Sequence, residues 1–278
     1  MFNYKKENTM SVPLILTSPH SGNIYPDFYI KNLKTPLDFC RSIEDMFVNE
    51  FIEGLSNNDI LVLSGKYSRS VIDLNRSNYE IDKSLIGDDS RIKSIDTFKV
   101  RSGIGLIPTQ TPRGRIIFKD KFSSEDFRYL VEDIYLKWHK RLKSEINKKH
   151  LISGKVFLID FHSMSSENSV LPDIVLGNIN GLTCKEENIR FISKYLNNLG
   201  YSVAINIPYA GGYITKNYNN KSLNIETLQI EINKDLYMDE NRFLKNKGFD
   251  LLKINLDKMI NEFANYFVSD SNSMFAAE

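Results

Sequence analysis

The segment "LIDFHSMS", residues 158–165, sets a histidine directly behind a run that reads as a buried strand. The chain has 4 histidines, and two of them, His20 after "LILTSP" and His162 after "LIDF", follow an apolar strand. Glu231 lies inside a third apolar run, "TLQIEI". Two imidazoles and a carboxylate suit Zn²⁺, which takes nitrogen and oxygen ligands and keeps one position open in catalytic sites. A water in that position ionises near neutral pH, and a carboxylate that is not a ligand must then take and return its proton. Glu231 is the candidate for that task. The competing readings are hydrogen-bonded structural histidines and a glutamate on the solvent side of a strand.

Other chemistries lack their residues. There is no GxSxG turn for a serine nucleophile. Neither GxxxxGK[ST] nor a GxGxxG after a strand is present for phosphate binding, and HExxH is absent. With 36 basic and 35 acidic residues the net charge is +1, so neither nucleic acid nor an acidic surface is the expected partner. A small, locally recognised molecule is. The two cysteines, Cys40 and Cys184, form no CxxC pair and read as buried free thiols. "MFNYKKENTM" has no apolar signal core, and no run of 18 apolar residues occurs, so no membrane segment is expected. The expected compartment is a reducing cytoplasm.

Elements able to position these residues alternate along the chain. Strands are expected at 12–18, 59–64, 67–74, 155–161, 173–177, 202–207 and 227–232. Helices are expected over Arg41 to Leu55, over 124–149, over 185–199 with Gly200 as its cap, and over 240–267. The alternation predicts an α/β fold, a single domain (1–278) with a central mixed, mostly parallel sheet flanked by helices. In such sheets chemistry gathers at the carboxyl ends of the strands. Residues 77–123, polar and long, read as a lid or substrate-facing excursion, and 269–278 as a frayed tail.

Six blocks carry a resemblance: "TSPHSG" (17–22), "SRSVIDLNR" (68–76), "DFHSMSS" (160–166), "PDIVLGNING" (172–181), "GGYIT" (211–215) and "LQIEINKDLYM" (228–238). In order and approximate spacing they resemble the N-formylglutamate amidohydrolase family, over most of the chain. The resemblance implies a zinc-dependent amidohydrolase with a fold similar to the zinc carboxypeptidases. It would act on a small N-formyl or N-acyl acidic amino acid. His20 and His162 match the metal-ligating histidines and Glu231 the general acid/base. Asn75 and Arg76 match a pair that holds a substrate carboxylate, a task that suits a planar guanidinium fork. Arg69 is a candidate for a second carboxylate or for the scissile carbonyl, against the alternative of a surface ion pair.

One departure concerns the second ligand. In an HxxE arrangement it would fall on Asn23, a poor zinc ligand. Glu44 and Asp45 are the available acids, and the resemblance aligns better with Asp45; two acids opening a helix also complement its dipole. His139 reads as a packing residue or one that stands behind a metal ligand, Asp160 as an orienter of a metal ligand, and Asp173 as either an orienter or a strand start. A peptidase or deacylase acting on another acidic amide, such as a cell-wall peptide, would share this chemistry. A zinc-free binding protein is the reading from outside the enzymes.

Overall fold

The computed structural model describes residues 2–5, 12–86, 92–166 and 171–275. Nine strands are described: β1 (Phe2–Lys5), β2 (Leu14–Ser18), β3 (Leu61–Gly65), β4 (Val156–Met164), β5 (Ile174–Gly177), β6 (Val203–Ile205), β7 (Ile225–Asn233), β8 (Met238–Asp239) and β9 (Leu244–Lys245). The α-helices are α1 (Asp27–Lys31), α2 (Leu37–Arg41), α3 (Val48–Ile52), α4 (Phe98–Arg101), α5 (Ser124–Arg128), α6 (Lys137–Ser153), α7 (Glu186–Asn198), α8 (Tyr213–Tyr218) and α9 (Phe249–Phe275). Among the described residues no helix is long and apolar enough to cross a membrane.

The chain packs as two compact units. One is built mainly from Pro19–Met46 and Ser64–Lys143, the other from Tyr4–Ser18, Phe47–Leu63 and Ser144–Glu278. The second unit carries most of the sheet, of order β1-β3-β2-β4-β7-β5-β6. β2, β4 and β7 run parallel, and β5 turns back antiparallel to β7. The fold is therefore α/β with a mixed sheet. β2 and β4 hold the centre because their side chains are apolar on both faces: Leu14, Ile15, Leu16, Phe157, Leu158, Ile159 and Phe161 are all fully buried. α3 packs on β2 and β4, and α7 on α9. Phe157 meets Phe263 and Phe267 of α9 edge-on, at ring separations of 4.7 and 5.3 Å. Each such buried ring contributes about 1.5–3 kcal/mol by its removal from water.

The first unit is mostly loop and short helix. Residues 77–123, the expected excursion, carry buried anchors here, including Leu106, Ile107, Ile117 and Phe118. Its long helical stretch holds a π-helical segment, Tyr129–Leu136, between α5 and α6. From that stretch the Tyr135 hydroxyl donates to the Arg76 carbonyl (2.6 Å), and His139 Nε2 lies 3.0 Å from the Leu74 carbonyl. The helix thus grips the backbone on either side of Asn75.

Three expected elements differ. Residues 67–74 form turns and not a strand: Val71 N–H donates to the Ser68 carbonyl, and Asp73 N–H to the Leu106 carbonyl, so these backbone groups are spent on turn and loop partners and not on a strand ladder. The expected helix over Arg41 to Leu55 is broken between α2 and α3, where Phe47 adopts a left-handed φ of 66°. Between residues 240 and 267 only the part from Phe249 is helical, because β8 and β9 first form a small hairpin. α9 runs to Phe275, and 276–278 of the expected tail lie outside the described residues. Cys40 and Cys184 are buried free thiols.

Candidate active site

The sheet sets His162 and Glu231 side by side. In the parallel pairing of β4 with β7 they occupy the same register position. Residues opposite one another in a sheet project to the same face. Both are buried, Glu231 with 8% of its surface exposed. Two residues before each, on the same face, stands the group that orients it. Asp160 Oδ2 lies 2.8 Å from His162 Nε2, while its Oδ1 accepts from the Thr17 hydroxyl at 2.6 Å. Gln229 Nε2 donates to Glu231 Oε1 at 2.6 Å. The Gln229 amide cannot turn over, because its own oxygen already accepts the Gly212 N–H at 2.6 Å.

In the other unit His20 follows β2 by two residues. Gly22 lets its loop lie against Lys66 and Tyr67: a Cβ there would stand 2.3 Å from the Tyr67 carbonyl oxygen. His20 Nε2 is 2.7 Å from Asp73 Oδ1, and Nδ1 is 3.3 Å from Asp45 Oδ2. The break between α2 and α3 delivers Asp45 here, and the Asp45 N–H donates to the His20 carbonyl at 3.1 Å. A continuous helix would have given that N–H to the preceding turn. Asn23 is exposed, as its poor ligand chemistry implies.

The fully buried Asp73 is the electrostatic centre of this unit. Burial pushes its carboxyl up, but the guanidiniums of Arg76 and Arg69, with His20, outweigh that and hold it well below the usual carboxylate range. Arg69 Nε donates to Asp73 Oδ2 at 3.0 Å, and Arg76 Nε stands 3.6 Å from the same oxygen. Arg76 is further braced by its Nε donating to the Ile104 carbonyl and its Nη1 to the Asn75 carbonyl. Asn75 is buried and gives its backbone N–H to Asp73 Oδ1.

His20, Asp45 and His162 form a group of buried ligand-type side chains, each offering one atom within 4.8 Å of the others. Within the sheet, Thr17 near the end of β2 pairs with Asp160 of β4. The donor set fits a divalent metal. A carboxylate on Nε2 of each histidine favours the Nε2–H tautomer and leaves Nδ1 as a lone-pair donor. His20 Nδ1 then faces the Asp45 carboxylate, an arrangement that a cation between them makes favourable.

Of the expected residues, the structure gathers His20, Asp45 and His162, sets Glu231 beside His162, and groups Arg69, Asn75 and Arg76 around Asp73. Glu44, the other acid considered, turns elsewhere: its carboxylate is buried with Tyr25 and Ser68. Asp173 caps the turn before β6 through Ser202. Sequence reasoning gave no role to Asp73 or Gln229. Gln229 had a signal, since a polar residue two before Glu231 on a strand shares its face. Asp73 stood among the polar residues of "SRSVIDLNR", but its partner His20 lies 53 residues away and had no signal.

A model of the N-formylglutamate amidohydrolase family matches residues 12–238. The chain is 27% identical over 241 residues to an N-formylglutamate deformylase of Pseudomonas putida, covering 82% of this chain and 83% of that protein. It is likewise 27% identical to the N-formylglutamate deformylase of Pseudomonas aeruginosa, over 243 residues and the same shares. Among solved structures it is similar to an N-formylglutamate amidohydrolase from Ralstonia eutropha, with a TM-score of 0.89 at 26% identity, covering 95% of this chain and 97% of that one.

Proposed function

This chain belongs to the N-formylglutamate amidohydrolase family, and from that premise we propose that it hydrolyses the amide of an N-formyl, or related N-acyl, acidic amino acid. The observation that carries the reading is the buried His20, Asp45 and His162 group, together with Glu231 in register with His162. These three side chains would hold a zinc ion. When bound, such an ion supplies a Lewis acid for the amide carbonyl and makes a water acidic enough to ionise near neutral pH.

Each remaining role belongs to the chain. Glu231 accepts the proton of the attacking water and returns it to the amide nitrogen. The C–N bond breaks, leaving formate and a free amino group. Gln229 keeps the Glu231 carboxylate turned to one orientation. Asp73 and Asp160 hold the two imidazoles as Nε2–H tautomers. Arg76 and Asn75 hold the substrate carboxylate, and Arg69 either a second carboxylate or the scissile carbonyl. The two guanidiniums already share the buried anionic Asp73, which fixes their positions before substrate arrives.

The test is product analysis. The purified protein, incubated with N-formyl-L-glutamate, is expected to release formate and glutamate in equal amounts. N-formyl amino acids with a neutral side chain should be poorer substrates. Absence of formate release from every N-formyl and N-acyl acidic amino acid tried would overturn the assignment.

A further inference from the structure

We propose that Glu44 is a positioning residue: it ties the loop that delivers Asp45 to the loop that carries Arg69 and Asp73, and so sets the metal affinity of the site. The proposal rests on the reading of Asp45 as a metal ligand.

Glu44 is 1% exposed. A buried carboxylate costs several kcal/mol unless it is bonded, so a residue with no further task here would be better apolar. Its Oε1 accepts from two hydroxyls, Tyr25 and Ser68, the latter at 2.6 Å. Oε2 stands 3.6 Å from Arg41 Nε. The Ser68 hydroxyl continues the network to Ser70 at 2.8 Å, which accepts from the buried Tyr29 hydroxyl at 2.8 Å.

These contacts close a ring. From Glu44 one peptide bond leads to Asp45, and Asp45 Oδ2 lies 3.3 Å from His20 Nδ1. His20 Nε2 lies 2.7 Å from Asp73. The chain runs back from Asp73 through Arg69 to Ser68, whose hydroxyl donates to Glu44. Both loops lack regular secondary structure at these residues, so no helix or strand ladder holds them. The Asp45 loop is also held through its backbone: Asp45 N–H donates to the His20 carbonyl, and the Ser21 hydroxyl to the Asp45 carbonyl at 2.9 Å. Those bonds set where the Asp45 main chain lies. The Glu44–Ser68 contact adds a second tie between this loop and the one that carries Arg69 and Asp73, beside the tie through His20.

Because both hydroxyls meet the same oxygen, the tie to Ser68 depends on an acceptor at that point, while the Arg41 guanidinium stands by the other oxygen. Glu44→Gln can keep that acceptor; Glu44→Ala cannot. The experiment measures the zinc dissociation constant of the metal-free protein by competition with a chelator, and the visible spectrum of the Co²⁺-loaded protein. It compares the wild type, Glu44→Gln, Glu44→Ala, Ser68→Ala and Asp45→Ala. Loss of an orienting group beside a metal ligand typically weakens binding 10- to 100-fold. Glu44→Ala should therefore bind zinc roughly 10- to 100-fold more weakly than the wild type, with an altered Co²⁺ spectrum. Ser68→Ala, which leaves Glu44 and Asp45 in place, should move in the same direction. Glu44→Gln should restore affinity to within about threefold. If Asp45→Ala loses zinc while Glu44→Ala and Ser68→Ala bind it like the wild type, the clamp is refuted and the ligand reading stands. If Glu44→Gln is as weak as Glu44→Ala, the acceptor account is wrong. If Asp45→Ala binds zinc unchanged, the ligand reading itself has failed.

Discussion

His162 and Glu231 stand in register on adjacent parallel strands, β4 and β7, with the carboxylate of Asp160 behind the one and the amide of Gln229 behind the other. The pairing separates the two roles. An imidazole oriented through Nε2 would suit a metal ligand, and a carboxylate oriented by the Gln229 amide would suit proton transfer. Glu231→Gln is expected to retain the metal and to lower kcat by at least ~100-fold, the scale of a lost general acid–base group. A Glu231→Gln protein that turns over normally, or one that is inactive only because it has shed its metal, would remove this role.

Gln229 acts through Glu231 and should show it in kinetics. Gln229→Leu leaves the strand and its packing volume in place but removes the donor to Glu231 and the acceptor of the Gly212 N–H. The expected result is a fall in kcat of roughly 10-fold, from the loss of one hydrogen bond to a charged group worth ~1.5 kcal/mol, with KM and metal content little changed. Equal losses in kcat and metal content would mean that Gln229 supports the fold and not the carboxylate.

The carboxylate-holding role of Arg76 is tested by selectivity. Its Nε and Nη1 already donate to backbone carbonyls, and Arg76→Ala also withdraws a counter-charge from Asp73, so some loss of stability is expected whatever its role. On N-acyl amino acids kcat/KM should fall roughly 10- to 150-fold, the equivalent of about 1.5–3 kcal/mol. Substrates with an amidated α-carboxylate should be poor for the wild type and barely worse for the variant. A common factor on both substrates would make Arg76 structural.

Much of this was legible in the sequence because central strands write themselves in apolar residues on both faces. β4 could be read that way, β2 as a short apolar run and β7 by its alternation, and with them His20 and His162 after strands and Glu231 within one. The segment 67–74 misled because "SVIDL" sets β-branched apolar residues together as a short strand does, yet Ser68 and Asp73 spend their bonds on loop partners. Arg41 to Leu55 misled because its apolar stripe fits one helix. The break that presents Asp45 is set by a tertiary bond to the His20 carbonyl, which has no local sequence signal. The Asp73–His20 and Glu44–Ser68 contacts were hidden for the same reason.

His139 predicts a dependence of stability on pH. Burial pulls its imidazole down from 6.5 to about 3, against a raising effect from the Leu74 carbonyl. The folded state therefore binds this proton less readily than the unfolded chain. The stabilisation is fully present above pH ~6.5 and is lost as pH falls towards ~3. At pH 5 the loss from this group is about 2 kcal/mol relative to pH 7. His139→Gln can still donate to Leu74 and does not titrate. Its stability, followed by denaturant unfolding, should decline less steeply than that of the wild type between pH 6.5 and 4. Parallel curves would contradict the assignment.

The central claim, a metal-dependent amidohydrolase, is tested most directly by formate release from N-formyl-L-glutamate before chelation, after chelation, and after zinc is added back. The account predicts turnover that falls to background as metal is removed and returns as zinc approaches one equivalent per chain. Undiminished formate release from protein shown to be metal-free would contradict it.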